Sequence, residues 1–176
     1  MRPSRTSSEL RLTTRAVPVR LALVGGAPGP AEVFVADVPR RGRSQLLDDV
    51  AALLTSPTAF LPVRLQSRVR LFGKHAIAWL AAPRRGDDQP DPAKDFSDEH
   101  SDVFTLYDRE HIVELELERG TKLLGTLLDS APVDRTRVID HLNGAGNFIR
   151  LWSADEHYVV NARQIIAVTE LGGERI

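Results

Sequence analysis

The chain has 176 residues, of which 42% are hydrophobic and 27% charged, and its formal net charge at pH 7 is -1. This composition is typical of a folded globular protein and argues against wholesale disorder. The near-neutral charge disfavours a dedicated nucleic-acid binder, because such proteins gain much of their affinity by neutralising phosphates. Cysteine is absent, which excludes disulfides and thiolate chemistry and predicts a cytoplasmic protein.

The N-terminal residues 1–7 are predicted to be flexible. Met1 to Arg15 alternates basic and hydroxyl side chains without a continuous apolar stretch, so neither a secretory signal nor a membrane anchor is predicted there. The sequence also has no apolar run of the roughly 18 residues that a bilayer-spanning helix needs. We therefore expect no membrane association.

Residues 8–82 are predicted to form a first β-rich unit. Val19 to Leu23 is predicted as a strand, and the glycine-rich stretch Gly25 to Pro30 as a hairpin turn. The stretch resembles a phosphate-binding loop only in its glycines, because it lacks the Lys-Ser/Thr ending and no helix follows it.

The rest of this unit contains one helix and three strands. Leu46 to Leu54 places apolar side chains on one helical face, between an N-cap at Ser44 and a stop at Pro57. Three strands are then predicted at Phe60–Leu65, Val69–Phe72 and Ala76–Ala81. Residues 83–101 are rich in proline, glycine and charge, and are predicted to be a polar linker.

Residues 102–170 are predicted to form a second unit. Ile112 to Glu118 alternates apolar and charged side chains, which is typical of a half-buried strand. Arg119 to Thr121 turns the chain, and Leu123 to Leu128 returns it, with Gly125 predicted at a bend or bulge. A short helix at Val138–Leu142, strands at Phe148–Ser153, Glu156–Val160 and Gln164–Glu170, and a tail over 171–176 complete the chain.

The two units match one another in collinear order. The matched pairs are Val19–Leu23 with Val113–Leu117 at a spacing of 94, Arg43–Val50 with Arg135–Leu142 at 92, and Ala59–Val63 with Asn147–Leu151 at 88. This pattern predicts an internal duplication, with chance resemblance between two β-rich halves as the alternative. Because a unit of about 70 residues buries only about 60% of its surface, we expect the two to pack together or to continue one another's sheets.

The second unit resembles the Sm-like family of small barrels. Val113-x-Leu115-x-Leu117-x-x-Gly120-x-x-x-x-Gly125-Thr126-Leu127 is similar to the first Sm motif, and Tyr158 to Val168 has the outline of the second. Ile139–Asn143 followed by Phe148–Leu151 also resembles a bacterial domain with a Leu-Asp-x-Leu-Asn segment. The resemblance implies a mainly β fold with short helices, as two tandem small barrels of the Sm-like or SH3-like kind.

The family's RNA pocket is not implied for this chain. RNA-binding members carry an aromatic residue after the second strand, where it stacks on a base, and an Arg-Gly pair in the last loop. Here Asp129–Val133 has no aromatic residue, and Asn161-Ala162 and Phe72-Gly73 stand in place of the Arg-Gly pair.

The sequence predicts no catalytic residues, no metal site and no cofactor. The histidines do not have the spacing of a compact metal motif, and neither a serine nucleophile elbow nor a Walker-type loop is present. The best candidate ligand site is a cluster of arginines that precedes the helix of each unit and suits a phosphate or an acidic partner: Arg40, Arg41, Arg43, Arg135 and Arg137. The alternative is that these arginines are solvated surface charges.

We therefore expect a non-enzymatic interaction or assembly module, a tandem barrel whose exposed strand edges or joined faces bind protein or another copy of itself. The competing hypothesis is an RNA or nucleotide binder that uses the five arginines. The sequence leaves the partner, the pathway and the assembly number open.

Overall fold

The computed structural model describes residues 13–37, 45–83, 109–129, 137–154 and 156–172. Its regular elements are, in chain order, β1 Thr14–Leu23, β2 Gly29–Ala36, α1 Gln45–Thr55, β3 Phe60–Leu65, β4 Arg68–Gly73, β5 Ile77–Pro83, β6 Arg109–Leu117, β7 Lys122–Asp129, α2 Val138–Gly144, β8 Phe148–Trp152, β9 Glu156–Asn161 and β10 Ile165–Gly172. Neither helix in these ranges is long and apolar enough to cross a bilayer.

The strands form where the sequence alternates apolar and polar residues. In β6 the side chains of Val113, Leu115 and Leu117 are buried, and the intervening glutamates are not. The half-buried strand predicted at Ile112–Glu118 is therefore confirmed, although it begins three residues earlier. The predicted hairpin turn after β1 is also confirmed, with Gly25 at a φ of 73°, which glycine adopts without steric cost.

Helix α1 covers one face of the sheet and is anchored at its C-terminal end. Its side chains Val50 and Leu54 are buried in a hydrophobic core, as the predicted apolar face requires. Buried Lys74 donates hydrogen bonds from Nζ to the carbonyl oxygen of Ser56 at 2.7 Å and to its Oγ at 2.8 Å. Burial lowers the pKa of Lys74, since a low-dielectric setting disfavours the ammonium form.

The described strands form one ten-stranded antiparallel sheet in the order β10-β6-β7-β8-β9-β5-β1-β2-β3-β4. The mainly β prediction is confirmed. The arrangement as two tandem closed barrels is not confirmed, because the strand order is that of one open sheet. The first five strands and the last five have the same internal order, and they join where β5 pairs with β9. The two halves thus continue one another's sheets, which is one of the two arrangements that the sequence predicts.

The strand registers of the two halves are equivalent. Leu21 lies opposite Leu80, and its counterpart Leu115 lies opposite Val168. Likewise, Phe60 pairs with Gly73 as Phe148 pairs with Asn161. We call residues equivalent when they match at a spacing of 94 in the first two strands of a half, or 88 in the last three. By this definition the sequence repeat is also a repeat of hydrogen-bonding register.

Gly125 allows a close approach between strands rather than a bulge. It pairs with Val113 without a break in the β6–β7 register. A Cβ atom built on Gly125 would lie 2.4 Å from the carbonyl oxygen of Trp152 and 2.8 Å from Cγ of Leu151. Only glycine therefore fits where β7 lies against β8.

Two hydrophobic cores lie along the sheet, and each draws side chains from both halves. The first is built mainly from β1, β2, β3, β5 and α1, and includes Val159 of β9. The second is built mainly from the last five strands, and includes Trp79 of β5. The predicted boundaries of the units, the linker and the tail fall largely on residues outside the described ranges and stay predictions.

Candidate protein-interaction site

Of the arginine cluster, the structure describes one member. Arg137 is exposed and directly precedes α2, where its carbonyl oxygen accepts hydrogen bonds from the backbone amides of Asp140 at 2.9 Å and His141 at 3.2 Å. The other four, Arg40, Arg41, Arg43 and Arg135, lie outside the described residues. A phosphate or acidic-partner site at these arginines therefore stays a prediction.

The side chains that could ligate metals are dispersed. Within the described ranges, no group of three or more His, Asp or Glu side chains is placed to hold a metal ion. Buried His111 on β6 instead contacts Glu170 on β10, with Nδ1 3.1 Å from Oε1.

The candidate interaction site is formed by the two outermost strands of the sheet. Among the described strands, β4 pairs only with β3, and β10 pairs only with β6. The outward N–H and C=O groups of such a strand are a template for pairing with another strand. We call these strands the β4 edge (68–73) and the β10 edge (165–172).

The pairing of β5 with β9, which we call the internal junction, shows how such strands combine. Leu80 lies opposite Val159, and both belong to the first core. Trp79 lies opposite Val160, and both belong to the second core. At these positions the junction strands are thus buried on both faces. Strand β5 is accordingly apolar along its whole length, whereas β9 begins with half-buried Glu156 and His157.

Polar side chains close one side of the internal junction. Arg20 donates a hydrogen bond from a guanidinium nitrogen to Oε2 of Glu156 at 2.5 Å, and the Tyr158 hydroxyl donates to the same oxygen at 3.2 Å. The Arg20 guanidinium also lies 5.5 Å from the ring centroid of Trp79, and the Tyr158 ring meets that indole edge to face. Together these contacts fix the register of β9 against β5.

Two further hydrogen bonds tie the halves together. Asn161, which is almost fully buried, donates from Nδ2 to the carbonyl oxygen of Ile77 at 3.0 Å. Arg119 donates from its guanidinium to the carbonyl oxygen of Gly25 at 3.0 Å. Gly25 and Arg119 are equivalent residues, and both have positive φ, 73° and 67°. The turns of the two halves therefore meet at matching positions.

A cavity of about 320 Å³ lies where these turns meet. Its walls include the turn from Val24 to Pro28, Trp79, Leu117, Arg119 and Gln164. Its volume is at the lower limit of small-molecule sites. The Arg119 hydrogen bond joins the two turns here.

The two edges are the equivalents of the two strands that pair in the internal junction. The β4 edge corresponds to β9, and the β10 edge corresponds to β5. Val159 of β9 is 1% exposed, whereas its equivalent Leu71 on the β4 edge is 70% exposed. Leu80 of β5 is fully buried, whereas its equivalent Val168 on the β10 edge is partly exposed.

Both edges present apolar side chains to solvent. Val69 and Leu71 are exposed on the β4 edge, and Ile166 and Leu171 on the β10 edge. The β4 edge also carries exposed Arg68 and Arg70, and the β10 edge exposed Glu170, so the apolar side chains stand among charges that limit unspecific association at an edge. The two edges are therefore the strongest candidate for a site that binds another polypeptide.

Comparison of the chain with protein-family models, with curated proteins and with solved structures finds no match. The sequence prediction named exposed strand edges or joined faces in general, and its candidate residues, the arginines, did not identify which strands form the edges. A signal was present: Ala78 to Ala82 is continuously apolar, whereas its equivalent Ile166 to Glu170 contains a threonine and a glutamate. That contrast indicates one strand buried on both faces and another open on one side.

Proposed function

We propose that this chain is a non-enzymatic interaction and assembly module, built from two Sm-like units, whose open sheet edges bind strands of protein partners. Strand addition to a sheet edge is a general mode of polypeptide recognition: the backbone supplies affinity, and alternate side chains supply specificity. The lack of cysteine fits a reducing compartment, and the proposal therefore places the module in the cytoplasm.

The observation that carries the proposal is the contrast between β9 and the β4 edge. The same kind of strand is paired on both sides at the internal junction and, among the strands that the structure describes, on one side only at the end of the sheet. Leu71 is left 70% exposed at the position where Val159 is buried. Covering an exposed leucine contributes roughly 1.5–3 kcal/mol, so an incoming strand gains apolar burial as well as backbone hydrogen bonds.

The competing function is RNA or nucleotide binding through the five arginines. Its salt dependence distinguishes it from the proposed binding of protein strands. Phosphate binding weakens steeply with salt because bound counterions are released. We therefore expect labelled single-stranded RNA to show no salt-sensitive binding when it is titrated at low and at moderate salt. Such binding, abolished by alanine at the five arginines, would favour the competing function.

Peptides that copy the internal junction test the proposed function. One probe carries residues 156–161, the sequence of β9, with Glu156→Arg so that the peptide does not set a like charge against Glu114, and it is expected to add to the β10 edge. The other carries residues 77–83, the sequence of β5, and is expected to add to the β4 edge. Terminal lysines keep both soluble, and backbone amide NMR signals of the full chain report where they bind.

The matched controls are the same peptides with every second backbone nitrogen methylated, which keeps the side chains but removes donors that strand pairing needs. We expect signal changes confined to the edge strands and their neighbours, and lost with the methylated peptides. Absence of changes at both edges at peptide concentrations up to about 1 mM, the limit of weak recognition, would contradict the proposed function.

A further inference from the structure

We infer that the partner of each edge is a second copy of this chain, bound head to tail, with the β10 edge of one copy antiparallel to the β4 edge of the next. This inference rests on the proposed function and names its partner. The internal junction supplies the geometry, because it already pairs the equivalents of these two strands.

The register follows from the equivalent residues of the internal junction. There Trp79, Leu80 and Ala81 lie opposite Val160, Val159 and Tyr158. The equivalent pairs across two copies are Ala167 with Phe72, Val168 with Leu71, and Thr169 with Arg70 of the next copy. This register sets Val168 against Leu71, the most exposed apolar side chain of the β4 edge, and covers it.

The charges at the internal junction and at the proposed contact between two copies favour the same register. At the internal junction Arg20 pairs with Glu156. The equivalent of Arg20 is Glu114, and the equivalent of Glu156 is Arg68. Both positions have reversed their sign, so the register brings a glutamate of one copy to an arginine of the next. A reversal at only one position would have set like charges together and opposed pairing.

The surroundings of Glu114 support this ion pair. In the isolated chain its Oε1 lies 2.7 Å from Nζ of Lys122, and this hydrogen bond raises the pKa of Lys122. A carboxylate accepts several hydrogen bonds, so Glu114 has acceptor sites beyond the one that Lys122 uses. Arg70, the equivalent of Tyr158, lies on the same face as Arg68 and adds a second positive charge near Glu114 of the neighbouring copy.

The helices extend the same argument beyond the strands. Helix α1 contacts β8 and β9 across the internal junction, and Asp48 pairs with Arg150 at 3.0 Å. Helix α2 matches α1 at a spacing of 92, so the head-to-tail pair brings it toward β3 and β4 of the next copy. The Asp48–Arg150 ion pair has no equivalent there, because Pro62 stands at the position of Arg150. Ile139 on α2 and Phe60 on β3 are exposed large apolar side chains, and this arrangement brings them to the same contact.

Head-to-tail contact has a consequence for mass. The two edges are different surfaces, so each copy that joins leaves one β4 edge and one β10 edge open. Association therefore continues beyond two copies, into a ring where the rotation closes and into a filament where it does not.

Charge reversal with rescue, followed by sedimentation velocity, tests the inference. All chains carry Lys122→Ala, so that a new arginine at position 114 meets no lysine. The parent is expected to grow beyond the dimer as its concentration rises. Arg68→Glu alone and Glu114→Arg alone are each expected to weaken association about tenfold or more, since like charges then meet at a partly desolvated contact. The double variant, which restores the charge order of Arg20 and Glu156, is expected to return to within about threefold of the parent.

A matched control is Arg163→Glu, which reverses an exposed arginine that has no place in the proposed register, and it is expected to leave association unchanged. Thermal unfolding of each variant confirms that the monomer is intact. Growth that stops at a dimer, or single reversals as tight as the parent, would overturn the inference. A monomer at every concentration up to about 1 mM also overturns it. If the strand peptides still bind that monomer, the proposed function stands; if they do not, both fall.

Discussion

The internal junction and the pair of open edges are built from equivalent strands but differ in what holds them. At the internal junction Asn161 and Arg119 donate hydrogen bonds to the other half. Their equivalents in the first half are Gly73 and Gly25, which have no side chain to donate. The pairing of two copies would therefore lack both hydrogen bonds.

The β10 edge differs further from β5. Glu170 occupies the position of Ala82, which is 1% exposed, so head-to-tail pairing brings a carboxylate toward a buried site. The β10–β6 register also shifts between Glu170 and Gly172, which disturbs the end of the edge. The comparison indicates that the pairing of β5 with β9 is permanent inside the chain. The equivalent pairing of a β10 edge with the β4 edge of another chain is weaker, so it depends on concentration.

A substitution at Trp79 tests whether the internal junction is permanent, and it has the largest expected effect on stability. Trp79 is buried in the second core although it belongs to the first half. Trp79→Ala is expected to lower the free energy of unfolding by about 3–5 kcal/mol, through lost burial and the cavity left behind. Urea unfolding measures this, with Ile166→Ala on the β10 edge as the control at about 0.5 kcal/mol or less. Equal losses would mean that β5 and β10 are not in different environments.

Val159 and Leu71 are equivalent residues that separate stability from association. Val159→Ala is expected to cost about 2 kcal/mol of unfolding free energy, because the side chain is buried in the first core. Leu71→Ala is expected to change that free energy by about 0.5 kcal/mol or less, because the side chain is exposed. In sedimentation, however, Leu71→Ala is expected to weaken association. Unchanged association would remove the β4 edge from the contact.

Glu170→Ala gives the β10 edge the same residue that β5 has at the equivalent position, Ala82. We expect association to strengthen about tenfold, or about 1.4 kcal/mol, because a carboxylate no longer loses solvent on pairing. The change also removes the contact with His111, so the monomer's unfolding free energy is measured in parallel. Weaker association with an unchanged monomer would show that Glu170 contributes to the contact rather than opposing it.

Arg137 has the smallest expected effect. Arg137→Ala is expected to change neither association nor unfolding free energy by more than about 0.5 kcal/mol, since an exposed side chain away from both edges adds little. The same sedimentation and urea experiments measure both quantities. A clear loss of association would return the arginine cluster to the centre of the function.

Much of the local structure is predictable from the sequence. The bounds of β3 agree with the predicted Phe60–Leu65, and the predicted helix Leu46–Leu54 lies within α1. Alternation of apolar residues and helix-stop signals are local, so they fix strands and helices. The equivalence of the two halves was also visible, because a repeated sequence places apolar side chains in repeated registers.

The open sheet and the edges were not predictable in the same way. Whether five short strands close into a barrel or continue into a neighbour depends on the pairing of β5 with β9, residues that are far apart in the sequence. The opposite signs of Arg20 and Glu114 were visible in the repeat. Their significance was hidden because Glu156 and Arg68 become relevant only once the strand order is known.

Disulfide capture tests the central claim, that the two open edges reproduce the internal junction between copies. The chain has no cysteine, so Leu71→Cys with Val168→Cys introduces the two thiols of the variant. Directly opposed residues in antiparallel strands have Cα atoms about 4.5–5.5 Å apart, within the range that a disulfide bridges.

The measurement is the mass of oxidised chains under denaturing conditions, compared with Leu124→Cys plus Val168→Cys, which pairs position 168 with an exposed residue of β7. We predict a ladder of linked chains for positions 71 and 168, with the bond mapped between different copies, and little linkage for the control. Linkage that is absent, or equal in the two variants, would contradict the account.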